Sequence, residues 1–196
     1  MKRSYRQSER ARQAEETGVR ILQETRRLFE AQGYAGLTLA SVAEAAGVTT
    51  QTVIRRFGDK EGLTAAAGQR VAQEIYAQRD EAPAGDLAAI VRNLVEHYET
   101  RGPVSLRLLA DEHLSESVAS FTRAGRDFHH GWCERVFAPW LGDLDGSTSR
   151  RRVAQLVAIC DVRTWELLRH REGLTPAQTR MALLELLRPL TEGARQ

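Results

Sequence analysis

Residues 37 to 63 read LTLASVAEAAGVTTQTVIRRFGDKEGL. Thr38 precedes a short helical run that stops at Gly47, and Thr49 precedes a second that stops at Gly58. A threonine hydroxyl in either place can accept a hydrogen bond from the free N–H groups of a first helical turn, and glycine takes the φ > 0 turn conformation cheaply. The spacing therefore predicts helices over 39–46 and 50–57 with a tight turn at Gly47. Ala43 and Ala46 are small enough to let the two cross at close range, and Val42, Val48, Val53 and Phe57 supply an apolar seam. These are the proportions of a helix-turn-helix, whose second helix enters the major groove of DNA. Thr50, Gln51, Thr52, Arg55 and Arg56 remain outward on that helix. Their hydroxyl, amide and guanidinium groups can hydrogen-bond base edges and phosphates. Two adjacent arginines project about 100° apart on a helix, so one of Arg55 and Arg56 is expected on DNA and the other on solvent or an acid.

Working outward, Val19, Ile21, Leu22, Thr25, Leu28 and Phe29 fall at helical spacing from Thr17, and Gly33 is placed to end that helix. Beyond Asp59 the pattern predicts longer helices over 61–80, 86–100, 103–113, 115–139, 149–172 and 176–190. Their breaks are set at Ala82-Pro83-Ala84-Gly85, Gly102-Pro103, Gly142 to Ser147 and Gly173 to Pro176. Ser115 and Ser149 are candidate caps, and Pro176 suits a first helical turn. No β-branched run alternates as a strand would. The expected fold is all-α, with about nine helices in an N-terminal helix-turn-helix domain (17–63) and a larger helical body (64–196), preceded by a basic arm (1–16).

Charge supports that division. The 196 residues carry a net charge of only +2. Residues 1–63 hold eleven basic and eight acidic residues, a net of +3, whereas residues 64–196 hold 17 and 18, a net of −1. A basic arm on a small basic module suits a polyanion, although such arms are also often solvated tails. There is no run of 18 apolar residues and no apolar stretch in MKRSYRQSERARQ, which predicts a soluble cytoplasmic protein. The two cysteines, Cys133 and Cys160, cannot form a disulfide framework or a four-cysteine zinc site, so neither metal nor cofactor is expected. GxSxG, HExxH and a Gly-rich phosphate loop are all missing, and His129 and His130 diverge on a helix, so an enzyme is not expected.

The stretch resembles the TetR/AcrR family of one-component transcriptional regulators. The resemblance rests on Phe29, Gly33-Tyr34, Thr38, Val42-Ala43, Ala46-Gly47-Val48-Thr49, Thr52, Phe57 and Lys60-Glu61 with Leu63, in the family's order and spacing. A looser likeness runs from Asp161-Val162 through Trp165 to Arg169 and on to Gly173-Leu174-Thr175. The resemblance implies that Thr38, Thr52 and Lys60 fall on backbone-contact positions and Thr50, Gln51 and Arg55 on base-facing ones. Thr49 and Arg56 complete the candidate DNA-binding set. Gln51 stands where the family usually has a small residue, and Ile54 where it usually has a tyrosine that touches a phosphate. Gln51 suits adenine and Arg55 guanine by bidentate geometry.

A reading helix of this size contacts few base pairs, so specificity calls for two half-sites and a homodimer. The stripes Val153, Leu156, Val157, Cys160 and Leu167, then Leu183, Leu184 and Leu187, suit an antiparallel helix pair doubled by a two-fold axis, the family's usual mode, or else the chain's own core. Tyr98, Leu106, Leu109, His113, Phe121, Phe128, Trp132 and Trp165 are candidates to line a pocket for a small, largely apolar effector. An aromatic stripe at helical spacing serves equally as core, and His113 equally as a solvated side chain. The expected function is a repressor released from a pseudo-palindromic DNA operator by that effector. The rivals are a redox sensor built on Cys133 and Cys160, and an interaction module with altered DNA binding.

Overall fold

The structure is a computed structural model describing residues 2–142 and 144–192, with residues 2–8 and Arg10 described for their backbone alone. Among the described residues there are nine α-helices and no strand: α1 Lys2–Gly36, α2 Leu39–Ala45, α3 Thr50–Phe57, α4 Lys60–Asp80, α5 Leu87–Asp111, α6 Glu116–Val136, α7 Gly146–Ile159, α8 Val162–Glu166 and α9 Pro176–Glu192. None of them is long and apolar enough to cross a membrane.

The first helix departs from the sequence expectation. A separate arm over 1–16 was expected, yet the backbone is helical from Lys2. Arg12 lies 2.7 Å from Glu9 and 3.8 Å from Glu16, pairs three and four residues apart that support helix propagation through a stretch without glycine or proline. Met1 and the side chains of Lys2, Arg3, Arg6 and Arg10, four of the five bases of that arm, lie outside the described residues. Gly33 leaves helical geometry as expected (φ 71°, ψ −175°).

The helix count agrees with the sequence reading only because one fusion offsets one split. The expected break at Gly102-Pro103 is absent, and α5 runs through it. Proline at 103 has no N–H for the Glu99 carbonyl, but the apolar face of Ile90, Val91, Leu94, Val95 and Tyr98 is buried and holds the helix. Conversely, 149–172 is not one helix. Asp145, rather than Ser149, caps α7 by accepting from the N–H groups of Ser147 (2.9 Å) and Thr148 (3.0 Å). Asp161 restarts the chain as α8, accepting from Arg163 N–H at 2.8 Å. A five-residue π-turn, Leu167–Arg171, follows. Thr175 and Gln178 then exchange hydrogen bonds around Pro176 at the start of α9.

The chain divides into two units, 1–71 with 107–121 and 72–106 with 122–196. The first therefore exceeds the expected 17–63. Its core is Ile21, Leu28, Leu37, Val42, Ala43, Ala46, Val53 and Leu63, with Leu22, Leu39, Val48 and Phe57 packed against it. In the second unit α7 packs on α9, and Arg152 donates to the Leu190 carbonyl.

Candidate nucleic-acid interface

Local chemistry builds α2 and α3 as the sequence suggests. Thr38 Oγ1 accepts from Ser41 N–H at 3.0 Å while Ser41 Oγ accepts from Thr38 N–H at 3.2 Å, a reciprocal cap. Gly47 has φ 63°, and Val48 N–H returns to the Ala43 carbonyl at 2.9 Å. Thr49 Oγ1 caps α3 through Thr52 N–H at 3.2 Å. Arg20 of α1 then donates to the Ala46 carbonyl at 2.9 Å and ties down the turn.

Val53 is fully buried and orients α3. At 100° per residue, Gln51 and Arg55 stand together opposite it, with Thr50 and Ile54 on one flank and Thr52 and Arg56 on the other. Thr50, Gln51 and Arg55 are exposed and Thr52 half-buried, while Thr38 and Thr49 are exposed at their helix starts. The two arginines diverge as expected. Arg56 turns back to α1, donating to the Ala14 carbonyl (2.6 Å) and Glu15 (3.2 Å), whereas Arg55 stays on the outward face. Ile54, 40% exposed, puts an apolar group on the flank of this face.

The corner after α3 holds features absent from the sequence reading. Asp59 Oδ1 accepts from Gly62 N–H at 2.9 Å and caps α4. Gly62 lies so close to the Phe57 carbonyl oxygen that an added Cβ would stand 2.2 Å from it. Lys60 Nζ lies 4.0 Å from the centre of the Tyr34 ring. Glu61 accepts from the Tyr34 hydroxyl, from Ser115 Oγ (2.9 Å) and from Ser117 N–H (2.9 Å), and Asp111 accepts from Tyr34 N–H at 2.8 Å. The Tyr34 hydrogen bond, ahead of those from Ser117 and Ser115, holds the Glu61 carboxyl down at about 2 despite partial burial. Burial and that carboxylate push the Tyr34 phenol up. Only Gly33-Tyr34 and Lys60-Glu61 gave a sequence signal, as motif positions. Their further partners, Asp111, Ser115 and Ser117, lie fifty or more residues away.

The expected pocket residues fall in both units. Leu109 is half-buried and His113 exposed in the first, where Phe121 packs against Gly68. In the second, Leu106 is half-buried and Phe128 stacks on Tyr76 at 4.1 Å. Trp132 is fully buried and donates to the Arg79 carbonyl at 2.9 Å. Tyr98 donates to the Cys160 carbonyl at 3.0 Å, and Trp165 donates to Glu99 at 3.0 Å. His113, facing solvent, takes the second of the roles left open for it.

The expected dimer stripes differ in exposure along their length. Val153, Leu156, Cys160, Leu183 and Leu187 are buried within the chain itself, because the 3-4 stripes of α7 and α9 close their own core. Val157 and Leu184 are half-buried, and Leu167 is exposed together with Met181 and Leu186. Among the described residues no three His, Cys, Asp or Glu side chains are grouped as metal ligands.

Comparison with known proteins now identifies the chain. The profile of the bacterial regulatory proteins of the tetR family matches residues 21–67, the helix-turn-helix and its flanks. The HTH-type transcriptional regulator BetI of Paraburkholderia xenovorans is 30% identical over 154 residues, covering 73% of this chain and 77% of that one. The chain belongs to the TetR family. It is accordingly a DNA-binding transcriptional regulator and not an enzyme. A transcriptional regulator from Rhodococcus sp. Rha1 shares the fold at TM-score 0.71 and 19% identity, covering 90% of this chain and 96% of that one. A regulator from Saccharomonospora viridis, solved in complex with choline, does so at TM-score 0.64 and 16% identity, covering 88% and 96%.

Proposed function

We propose that this TetR-family regulator is a cytoplasmic repressor that holds a pseudo-palindromic operator as a homodimer and leaves it when a small effector binds its second unit. The observation that carries the reading is the outward face of α3, where Gln51 and Arg55 stand opposite the buried Val53 with Thr50 beside them. In this reading Gln51 and Arg55 read bases, while Thr38, Thr49, Thr52 and Lys60 contact the phosphate backbone. Arg56 braces α3 against α1 instead of reading DNA. Dimerisation engages the apolar side chains that α7 to α9 leave accessible, Val157, Leu167, Met181, Leu184 and Leu186. A neighbour holding a small molecule within the same fold supports an effector. Release then requires only that the effector bind more tightly to a conformation whose two reading helices fit DNA poorly.

Selection of bound DNA from a random pool, followed by gel shift on the selected site, tests this. A pseudo-palindrome bound by the ligand-free protein is the expected result. A protein that bound only after a ligand was added would overturn the release mechanism.

A further inference from the structure

Arg79, near the end of α4, is 2% exposed, yet its Nε and Nη2 atoms have no hydrogen-bond partner. A buried charge without a counter-charge is strongly unfavourable, and buried guanidinium groups are normally matched to a carboxylate. Carboxylates of α4, and those that adjoin Tyr98 and Cys160 in sequence, are engaged elsewhere. Glu74 pairs with Arg101 at 2.9 Å, Asp80 with Arg135 at 2.5 Å and Glu99 with Arg169 at 2.7 Å, while Asp161 caps α8.

The two free nitrogens share one edge of the guanidinium, the side-on edge whose parallel N–H groups match the two oxygens of a carboxylate. That edge is held in place. The guanidinium carbon lies 3.7 Å from the centre of the Trp132 ring and 5.8 Å from that of Tyr98. Trp132 Nε1 fixes the Arg79 backbone, and Tyr98 is anchored on the Cys160 carbonyl. Burial, then the charges of Arg79 and Arg101, hold His97 down at about 3 and therefore neutral.

We infer that the effector is a small organic carboxylate, whose two oxygens take the Nε and Nη2 hydrogen bonds of Arg79 while its carbon skeleton lies against Trp132 and Tyr98. This inference rests on the effector reading above and gives that effector a charge sign. A cation such as a quaternary ammonium would meet like charge at the same place.

The test titrates the full chain with sodium acetate, octanoate, benzoate and indole-3-acetate, and with octanamide, benzamide and choline chloride, following melting temperature and calorimetric affinity. Wild type and the uncharged Arg79→Met are compared, with Arg79→Lys keeping the charge but losing the fork, and circular dichroism confirming that each is folded. At least one carboxylate is expected to bind and raise the melting temperature, the amides and choline not to, and both variants to lose at least tenfold in affinity. If Arg79→Met does not fold, the wild-type contrast of octanoate and benzoate with their amides decides alone. Binding of choline or an amide in preference to every acid, no binding of any acid, or full affinity in Arg79→Met would overturn the inference. Gel shift separates the two proposals. An acid that binds through Arg79 without releasing DNA defeats the release mechanism and leaves the carboxylate site standing, whereas release by a neutral or cationic compound does the reverse.

Discussion

Replacing Glu61 by Gln keeps the shape of the side chain and removes its charge from the hydrogen bonds of Tyr34, Ser115 and Ser117. The carboxyl drops from 4.5 to about 2 on folding, first because of the Tyr34 bond and then because of Ser117 and Ser115, with burial opposing. A folded-state value below the unfolded one means that the carboxylate favours the folded chain. That stabilisation is complete above the unfolded value of about 4.5 and is lost as pH falls from there through about 2. Taken at face value the difference corresponds to ~3.4 kcal/mol, and partial solvent exposure reduces the expected contribution to about 2 kcal/mol. For a chain of this length that lowers the melting temperature by roughly 4–8 °C. Thermal melts of both proteins by circular dichroism at pH 7 and pH 3 should show the full gap at pH 7 and less than half of it at pH 3, where the native carboxylate begins to protonate. Equal melting at pH 7, or a gap unchanged at pH 3, would refute the assignment of Glu61 as a charged acceptor shared by α1 and the start of α6.

Four further substitutions and one reagent test the remaining geometry. Arg55→Ala should weaken operator binding by roughly 1–3 kcal/mol and relax preference at one base position, whereas Arg56→Ala should change affinity less and leave preference intact, as read by gel shift on a site library. Gly62→Ala sets a Cβ against the Phe57 backbone oxygen and should cost roughly 1–3 kcal/mol in chemical denaturation, with operator binding weakened as the α3–α4 corner moves. Gly102→Ala places a Cβ 2.2 Å from Trp165 Cζ3 and should destabilise by about as much, with altered tryptophan fluorescence. Cys133 and Cys160 should ignore a thiol reagent in the native protein and react fully once denaturant is added.

That last expectation bears on the redox alternative. Cys133 is fully buried, and its hydrogen bond with Cys160, followed by burial, pushes its thiol well above the ordinary range, outweighing the bond with His129. Oxidation and disulfide exchange proceed through the thiolate. The neighbourhood that brings the two sulfurs together thus suppresses the species that would react. Both cysteines are free thiols buried in the chain.

Much of the reading module was legible because its rules act within a few residues. Thr38 to Ser41, Thr49 to Thr52 and the φ of Gly47 are all local. Periodicity also identified which faces of α7 and α9 are apolar, but a 3-4 stripe says that a face is buried and not against what, so the same leucines suited a partner or the chain's own core equally well. Pro103 misled for a related reason. Its local cost is fixed, whereas the buried face that absorbs the cost depends on tertiary packing. Arg79 carried an unused signal. With Val71 and Ile75 at four-residue spacing it continues an apolar stripe, and a charge in such a stripe marks a buried ion awaiting a partner.

The structure also sharpens what the basic charge of the reading module does. Several bases of residues 1–63 are already engaged: Arg12 with Glu9, Arg26 with Glu30, Arg27 with Glu24, Arg56 with Glu15, Arg20 with a carbonyl and Lys60 over Tyr34. An arginine within a salt bridge of a few ångströms presents little net field a Debye length away. Long-range attraction to DNA from these side chains is therefore weaker than a count of bases suggests. What α3 offers instead is short-range and directional. Gln51 and Arg55 share one face, each able to make paired hydrogen bonds to a base edge. Under the proposed release mechanism a regulator arranged this way would depend on fit, and a modest change in the spacing of two reading helices would be enough to remove it from its site.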